Sequence, residues 1–466
     1  MTPDDGGREG VPGTPHEPLP RSLGLASATA LVIGEVIGVG IFLTPAEMAR
    51  SLGSPFWLLV AWGSMGLIAV CGAVCFGVLA ARYPEDGGGY VYLRRAFGPR
   101  VAFLYGWMSL LVTDPGLTAL MAAGLARYAA SLFVLSPLGL KLVAVGAIVA
   151  VAGANILGLG IGAAILRALS AMKLGLLAAI ATWGFGFGIG SWSNFQPFVA
   201  RPPSSEPLAQ AMVGGLLAAF FSLAGWWDVS KVAGEVRDPG RTLPRALLLG
   251  VAIVTLVYIL ISAVFWYLVP LTLVDPNRGF AAQAGEALFG VAGGRIFATI
   301  VILSVLGSLA GITMAAPRVY YAMARDGVFP AALAAIHPRF GTPARATALQ
   351  AAVASALVVS GSFEQILSYF MAVTIAFLAL IVVVYVLPDR SGAARVPGYP
   401  LTPLGFIVPV ALIVMMCFAG NPIRSGIGMG IVVLGLPVYE IFLRDSARVA
   451  TKENYSASPP STRRWP

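Results

Sequence analysis

The chain has 466 residues, of which 58% are hydrophobic and only 11% charged. Soluble domains run near half apolar and about a quarter charged. A soluble globular domain, a disordered chain, a disulfide scaffold and a collagen-like fibre are therefore excluded, and the net charge of +9 is assigned to topology-setting loops rather than to a nucleic-acid surface.

Residues 1–20 and 446–466 are polar and rich in Pro, Gly, Ser and charge, and are expected to be disordered cytoplasmic tails. Between them, apolar stretches predict an all-α polytopic membrane protein with twelve transmembrane helices. They lie at roughly 24–45, 56–81, 100–133, 139–157, 162–190, 208–230, 244–268, 292–323, 344–361, 364–387, 402–420 and 425–443. With the N-terminus inside, 22 of the 30 Lys and Arg residues fall on cytoplasmic segments, Lys231 among them. Six fall on the other face: Arg50, Lys141, Arg201, Arg278, Arg295 and Arg424. That asymmetry predicts a multi-pass cell-membrane protein with both termini cytoplasmic. The remaining two, Arg127 and Lys173, lie within spans. Arg127 is placed near the outer end of its helix, where it can snorkel; Lys173 is too deep to do so.

Span one carries Gly34, Gly38 and Gly40 within seven residues, which is costly in a helix. Gly34 and Gly38 could serve close helix packing, or the backbone could unwind around a cavity. Span six favours the second reading. Its Phe220–Asp228 stretch predicts a second break five spans after the first. Paired breaks in two halves point to an inverted-repeat transporter with a midplane site. Free N–H groups at one half-helix end suit a carboxylate and carbonyls at another suit an ammonium, so an α-amino acid is the natural ligand.

At these residues the chain resembles the amino acid–polyamine–organocation permeases, in particular bacterial relatives of the L-type amino-acid transporters. Gly38-Val39-Gly40-Ile41-Phe42 is similar to their glycine motif in span one, and Tyr83 to Leu93 resembles their Pro-, Gly- and Tyr-bearing loop. Phe221 to Trp226, followed by Val232 to Glu235 and Asp238 to Ala246, resembles the L-type pattern, and Pro317 to Pro330 the motif ending span eight. The resemblance covers about residues 20–440. It implies a five-plus-five inverted repeat, residues 21–200 and 201–390, with two added helices in 391–445. It also implies a substrate carboxylate at Val39, Gly40 and Ile41, a gate at Phe221, and carbonyls of Ser222, Leu223 and Ala224 facing the α-amine. Lys173 resembles a span-five lysine whose ammonium takes the place of a sodium ion in sodium-coupled members, which implies sodium-independent exchange or proton-coupled symport. Relatives that pair with a glycoprotein heavy chain use a cysteine between spans three and four; residues 131–140 have none, so no disulfide-linked heavy chain is expected.

Glu35 departs from the family and lies three residues before Gly38, on the face of the break. It is open to two roles, proton coupling or a static ion pair with the nearby lysine. Asp114, before Pro115, stands where L-type members carry arginine and is expected to face the outer vestibule. Trp226 and Trp227 read as packing residues, and Gly87–Gly89 as a tight loop rather than a phosphate cradle. No catalytic constellation, metal cluster or cofactor motif is present in the sequence, so an enzyme is not expected. A polyamine or cationic amino-acid carrier is the alternative within transport. A channel or a membrane receptor is disfavoured for want of a charged pore ring or a sensory domain.

Overall fold

The computed structural model describes residues 21–203, 205–270, 273–274, 280–385 and 396–443; both expected tails lie outside them. The described chain is helical, with no strand beyond an isolated bridge between Leu23 and Val236. In order, the helices are α1 (Leu25–Val36), α2 (Gly40–Leu52), α3 (Pro55–Arg82), α4 (Gly89–Phe97), α5 (Pro99–Met108) and α6 (Asp114–Ala129). They continue with α7 (Pro137–Ile156), α8 (Leu159–Gly186), α9 (Leu208–Leu223), α10 (Pro239–Leu268), α11 (Phe280–Ala315) and α12 (Pro317–Arg325). They end with α13 (Ala344–Ser360), α14 (Phe363–Val383), α15 (Leu401–Gly420), α16 (Pro422–Val433) and the short α17 (Gly435–Val438).

Among the described residues ten helical segments are long and apolar enough to cross a bilayer, and the bent pair α1–α2 makes eleven. The ninth expected span falls on α13, whose 17 residues are fewer than the about 20 that a full crossing uses. Prolines mark several helix starts, where a missing N–H costs nothing: Pro55, Pro99, Pro239, Pro317 and Pro422 each stand in a first turn.

Three interruptions position the interior. The chain leaves helical geometry between Val36 and Gly40, bending α1 against α2 by 45°. After α9, Ala224 is extended and Gly225 takes φ +104, before a 3-10 helix runs over Trp226–Glu235. Only glycine adopts that φ without strain, so the second break is written at Gly225. The third interruption is a π-helical turn over Ser109–Thr113 joining α5 to α6. Pro115 lacks the N–H that a regular ladder needs there, which accounts for the irregular turn before it.

Around these breaks α1 packs on α8, α10 and α11, while α3 lies along α10. Trp62 of α3 meets Tyr258 of α10 edge-on at 5.2 Å between ring centroids. Trp226 and Trp227 are buried and pack edge-on against each other at 5.5 Å, as packing residues would.

Candidate functional site

The two broken helices touch at their breaks. A Cβ on Gly40 would lie 2.6 Å from Ser222 Cα, so only a hydrogen fits between these backbones. The Thr44 and Ser222 hydroxyls share a hydrogen bond of 2.7 Å, and Tyr258 Oη donates between Val36 O (2.7 Å) and Ser222 O (3.0 Å). One tyrosine thereby pins both breaks. Among the described residues no backbone acceptor meets the N–H groups of Val39, Gly40 or Ile41, the open first turn of α2.

Lys173 reaches this junction from α8. Its Nζ donates to Gly34 O at 2.7 Å, to Ile37 O at 2.9 Å and to Ser308 Oγ at 2.8 Å. The ammonium therefore bonds the carbonyls freed by the first break and ties α1 to α8 and α11. No ion pair forms between Lys173 and Glu35: both Glu35 oxygens lack a hydrogen-bond partner, and the residue is 1% exposed.

Of the seven expected substrate contacts, Phe221 lines a large cavity whose walls do not include the other six. That cavity, about 1240 Å³, opens toward the end of the bundle bearing Arg127 and Arg295, with Thr44, Tyr128, Phe221 and Phe363 among its walls. Phe221 packs edge-on against Phe363 at 6.1 Å, and the Arg127 guanidinium lies 4.7 Å from the Phe363 ring centre. Val39, Gly40, Ile41, Ser222, Leu223 and Ala224 are buried beneath this floor.

Asp114 corrects its expectation. It is 1% exposed and takes no part in a vestibule, because the π-turn and Pro115 direct it inward. Its Oδ1 accepts from Lys231 Nζ at 2.6 Å and its Oδ2 from Ser109 Oγ (2.5 Å) and Tyr320 Oη (3.1 Å). Lys231 is corrected with it. Counted above as a loop charge, it is buried and also holds Asp228 Oδ1 at 2.8 Å, leaving 21 basic residues against six in the topology count. The signal for this pair was available: Asp228 and Lys231 stand i, i+3 in an otherwise apolar helical stretch.

Away from the cavity, the sequence motifs converge. The Asp86 carboxylate accepts the Gly234 N–H at 2.9 Å, and Gly87 N–H donates to Lys231 O at 2.8 Å. Arg318 Nε bonds Glu235 Oε1 at 2.7 Å in a buried ion pair, and Arg94 and Tyr90 both bond Asp326. The loop after α3, the end of the 3-10 helix and the segment after α11 are thus locked together. Burial, then the negative charge of Glu235, pushes the Asp86 carboxyl up to about 7.

A sequence profile described as "Amino acid permease" matches residues 23–438. The chain belongs to the amino acid permease family. The human cystine/glutamate transporter is 28% identical over 448 residues, covering 94% of this chain and 88% of that protein. The serine/threonine exchanger SteT of Bacillus subtilis is 27% identical over 431 residues, covering 90% and 96%. The human large neutral amino acids transporter small subunit 2 is 28% identical over 443 residues, covering 90% and 80%. The permease is a multi-pass integral membrane protein, and the match to its family spans both breaks and the motif cluster.

Proposed function

We propose that this permease is a secondary active amino-acid transporter of the cell membrane that holds its substrate between the two breaks. The observation that carries the reading is their direct contact, Gly40 against Ser222, with the N–H groups of Val39, Gly40 and Ile41 open. When the breaks part, those N–H groups at the start of α2 suit an α-carboxylate. The span-six backbone at Ser222, Leu223 and Ala224 supplies carbonyls for the α-ammonium. In the present arrangement the breaks are joined beneath Phe221, which supports Phe221 as the residue that seals the site from the vestibule. The vestibule is the outer one, and both termini are cytoplasmic, by the distribution of basic residues. Residues 21–200 and 201–390 are the two inverted repeats, and 391–445 the added helices.

Transport is sodium-independent, since the Lys173 ammonium occupies carbonyls that would otherwise be free to bind a cation. The protein works without a disulfide-linked heavy chain: residues 131–140 lack cysteine, and Cys71, Cys75 and Cys417 are free thiols in helices. Counterflow in proteoliposomes against a panel of amino acids and amines tests the proposal. Trans-stimulated uptake of an α-amino acid supports it. Uptake of amines alone points instead to a polyamine carrier, and no counterflow at all overturns transport by this site.

A further inference from the structure

Five charged side chains meet inside the bundle, and their charges do not cancel. Glu35 on α1, Asp114 on α6 and Asp228 in the 3-10 helix supply three carboxyls; Lys173 on α8 and Lys231 supply two ammonium groups. All five are 1% exposed. With every group ionised the set carries −1, and a single proton makes it neutral. A net charge in a dry interior costs several kcal/mol by order of magnitude, so the neutral count is strongly preferred.

The geometry says where that proton sits. Lys231 is shared by Asp114 and Asp228, Asp114 is completed by Ser109 and Tyr320, and Lys173 is taken up by two carbonyls and Ser308. Glu35 is left over. Neither of its oxygens has a donor. Oε2 lies against Gly225, where an added Cβ would be 3.7 Å away, three residues before Asp228, whose Oδ1, in ion-pair contact with Lys231, also lacks a hydrogen-bond partner and whose charge acts on Glu35. Two ionised carboxylates are both acceptors and cannot bond; one proton between them makes a short acid–carboxylate hydrogen bond. The side chain is slotted between two glycines. A Cβ on Gly311 would come within 2.5 Å of Glu35 Cγ, and one on Gly225 within 3.4 Å of Glu35 Cβ. Among the described residues, α8 presents Lys173 bonded to Gly34 and Ile37, α10 presents Tyr258 bonded to Val36 and Ser222, and α11 presents Ser308 bonded to Gly34 and Ile37, while the charges of Lys231 and Asp114 also act on Glu35.

We infer that Glu35 and Asp228 hold one proton between them, and that this pair is the site through which a proton gradient drives the permease. The coupling rests on the transport reading above; the proton site does not. Glu35 lies just before the first break and Asp228 just after the second, so the shared proton bonds one broken helix to the other. Losing it sets two carboxylates against each other and favours parting of the breaks. A proton taken from hydronium on the acidic side forms one O–H bond on the pair, that bond breaks when the proton passes to water on the other side, and one proton is carried per cycle.

The test has two arms on purified protein in lipid. In pH-difference infrared spectra the unmodified protein gives a carboxylic-acid C=O band that Glu35→Gln loses, and Asp228→Asn loses or shifts it, which keeps the test alive should one variant fail to fold. In proteoliposomes with an imposed pH gradient, the accumulation ratio of a transported amino acid falls to one in Glu35→Gln, and the pH profile of its exchange flattens. A band unchanged in both variants overturns the proton site, whatever the transport result. A band lost as expected, with no amino acid exchanged by the unmodified protein, overturns the coupling and the transport reading while the proton pair stands.

Discussion

Lys173 Nζ holds the Ile37 carbonyl at 2.9 Å, at the residue where the first broken helix unwinds. Together with its bond to Gly34 O, this contact substitutes for the helical hydrogen bonds that the break removes. Removing the ammonium leaves buried carbonyls short of a donor, at ~1–3 kcal/mol. Lys173→Ala is expected to lower the turnover of amino-acid exchange by about tenfold or more, a rise of about 1.4 kcal/mol in the barrier being tenfold. The unmodified protein is expected to exchange at the same rate with sodium or choline at fixed ionic strength, and sodium stimulation would remove Lys173 from the cation's place.

Phe221 stands at the vestibule floor, braced by Phe363. As a gate it contributes to the closing step more than to substrate affinity. Phe221→Ala is expected to reduce the transport rate far more than it weakens equilibrium binding, measured on the same purified protein. Equal losses in both would make it a contact residue.

The Arg318–Glu235 pair is buried, with 3% and 0% of the side chains exposed. Breaking such a pair leaves an uncompensated charge, at ~3–5 kcal/mol. Arg318→Ala is expected to lower thermal stability sharply, and adding Glu235→Gln to restore part of the loss. A double-mutant cycle with no coupling energy would show that the two residues act independently.

Asp86 lies in the loop after α3, and its carboxyl titrates near 7 rather than at 3.8 because of burial and the Glu235 charge. A raised carboxyl pKa stabilises the docked form fully below the ordinary value, and that contribution is lost as pH rises to about 7. Stability is therefore expected to fall between about pH 4 and pH 7, by at most ~1.4 kcal/mol per pH unit from this group, and to level off above. Asp86→Asn removes that component, so the difference between the two melting-temperature profiles isolates it. Parallel profiles would contradict the assignment.

The helices were legible because bilayer-length apolar runs leave few alternatives, and the span-six break because Gly225 needs a φ that other residues avoid. The first break was legible through Gly38 and Gly40, although the reason for Gly40, its contact with Ser222, is a distance across 182 positions in sequence that no local pattern encodes. Asp114 and Lys231 were misplaced for the same cause. Asp114 read as facing a vestibule and Lys231 as a loop charge, and only the approach of Lys231 Nζ to Asp114 Oδ1 across 117 positions shows that they neutralise one another. Glu35 was recognisable as an anomaly, but its neighbour Asp228 belongs to the other broken helix and could not be paired with it from spacing.

The central claim is that the joined breaks are the place where the amino acid binds, and Gly40 tests it most directly, because any side chain there enters the space against Ser222. Counterflow of a transported amino acid is measured for the unmodified protein and for Gly40→Leu, each confirmed as folded in the membrane by its elution profile and melting transition. The account predicts that Gly40→Leu loses uptake while remaining folded. Uptake at the unmodified rate in that variant would contradict it.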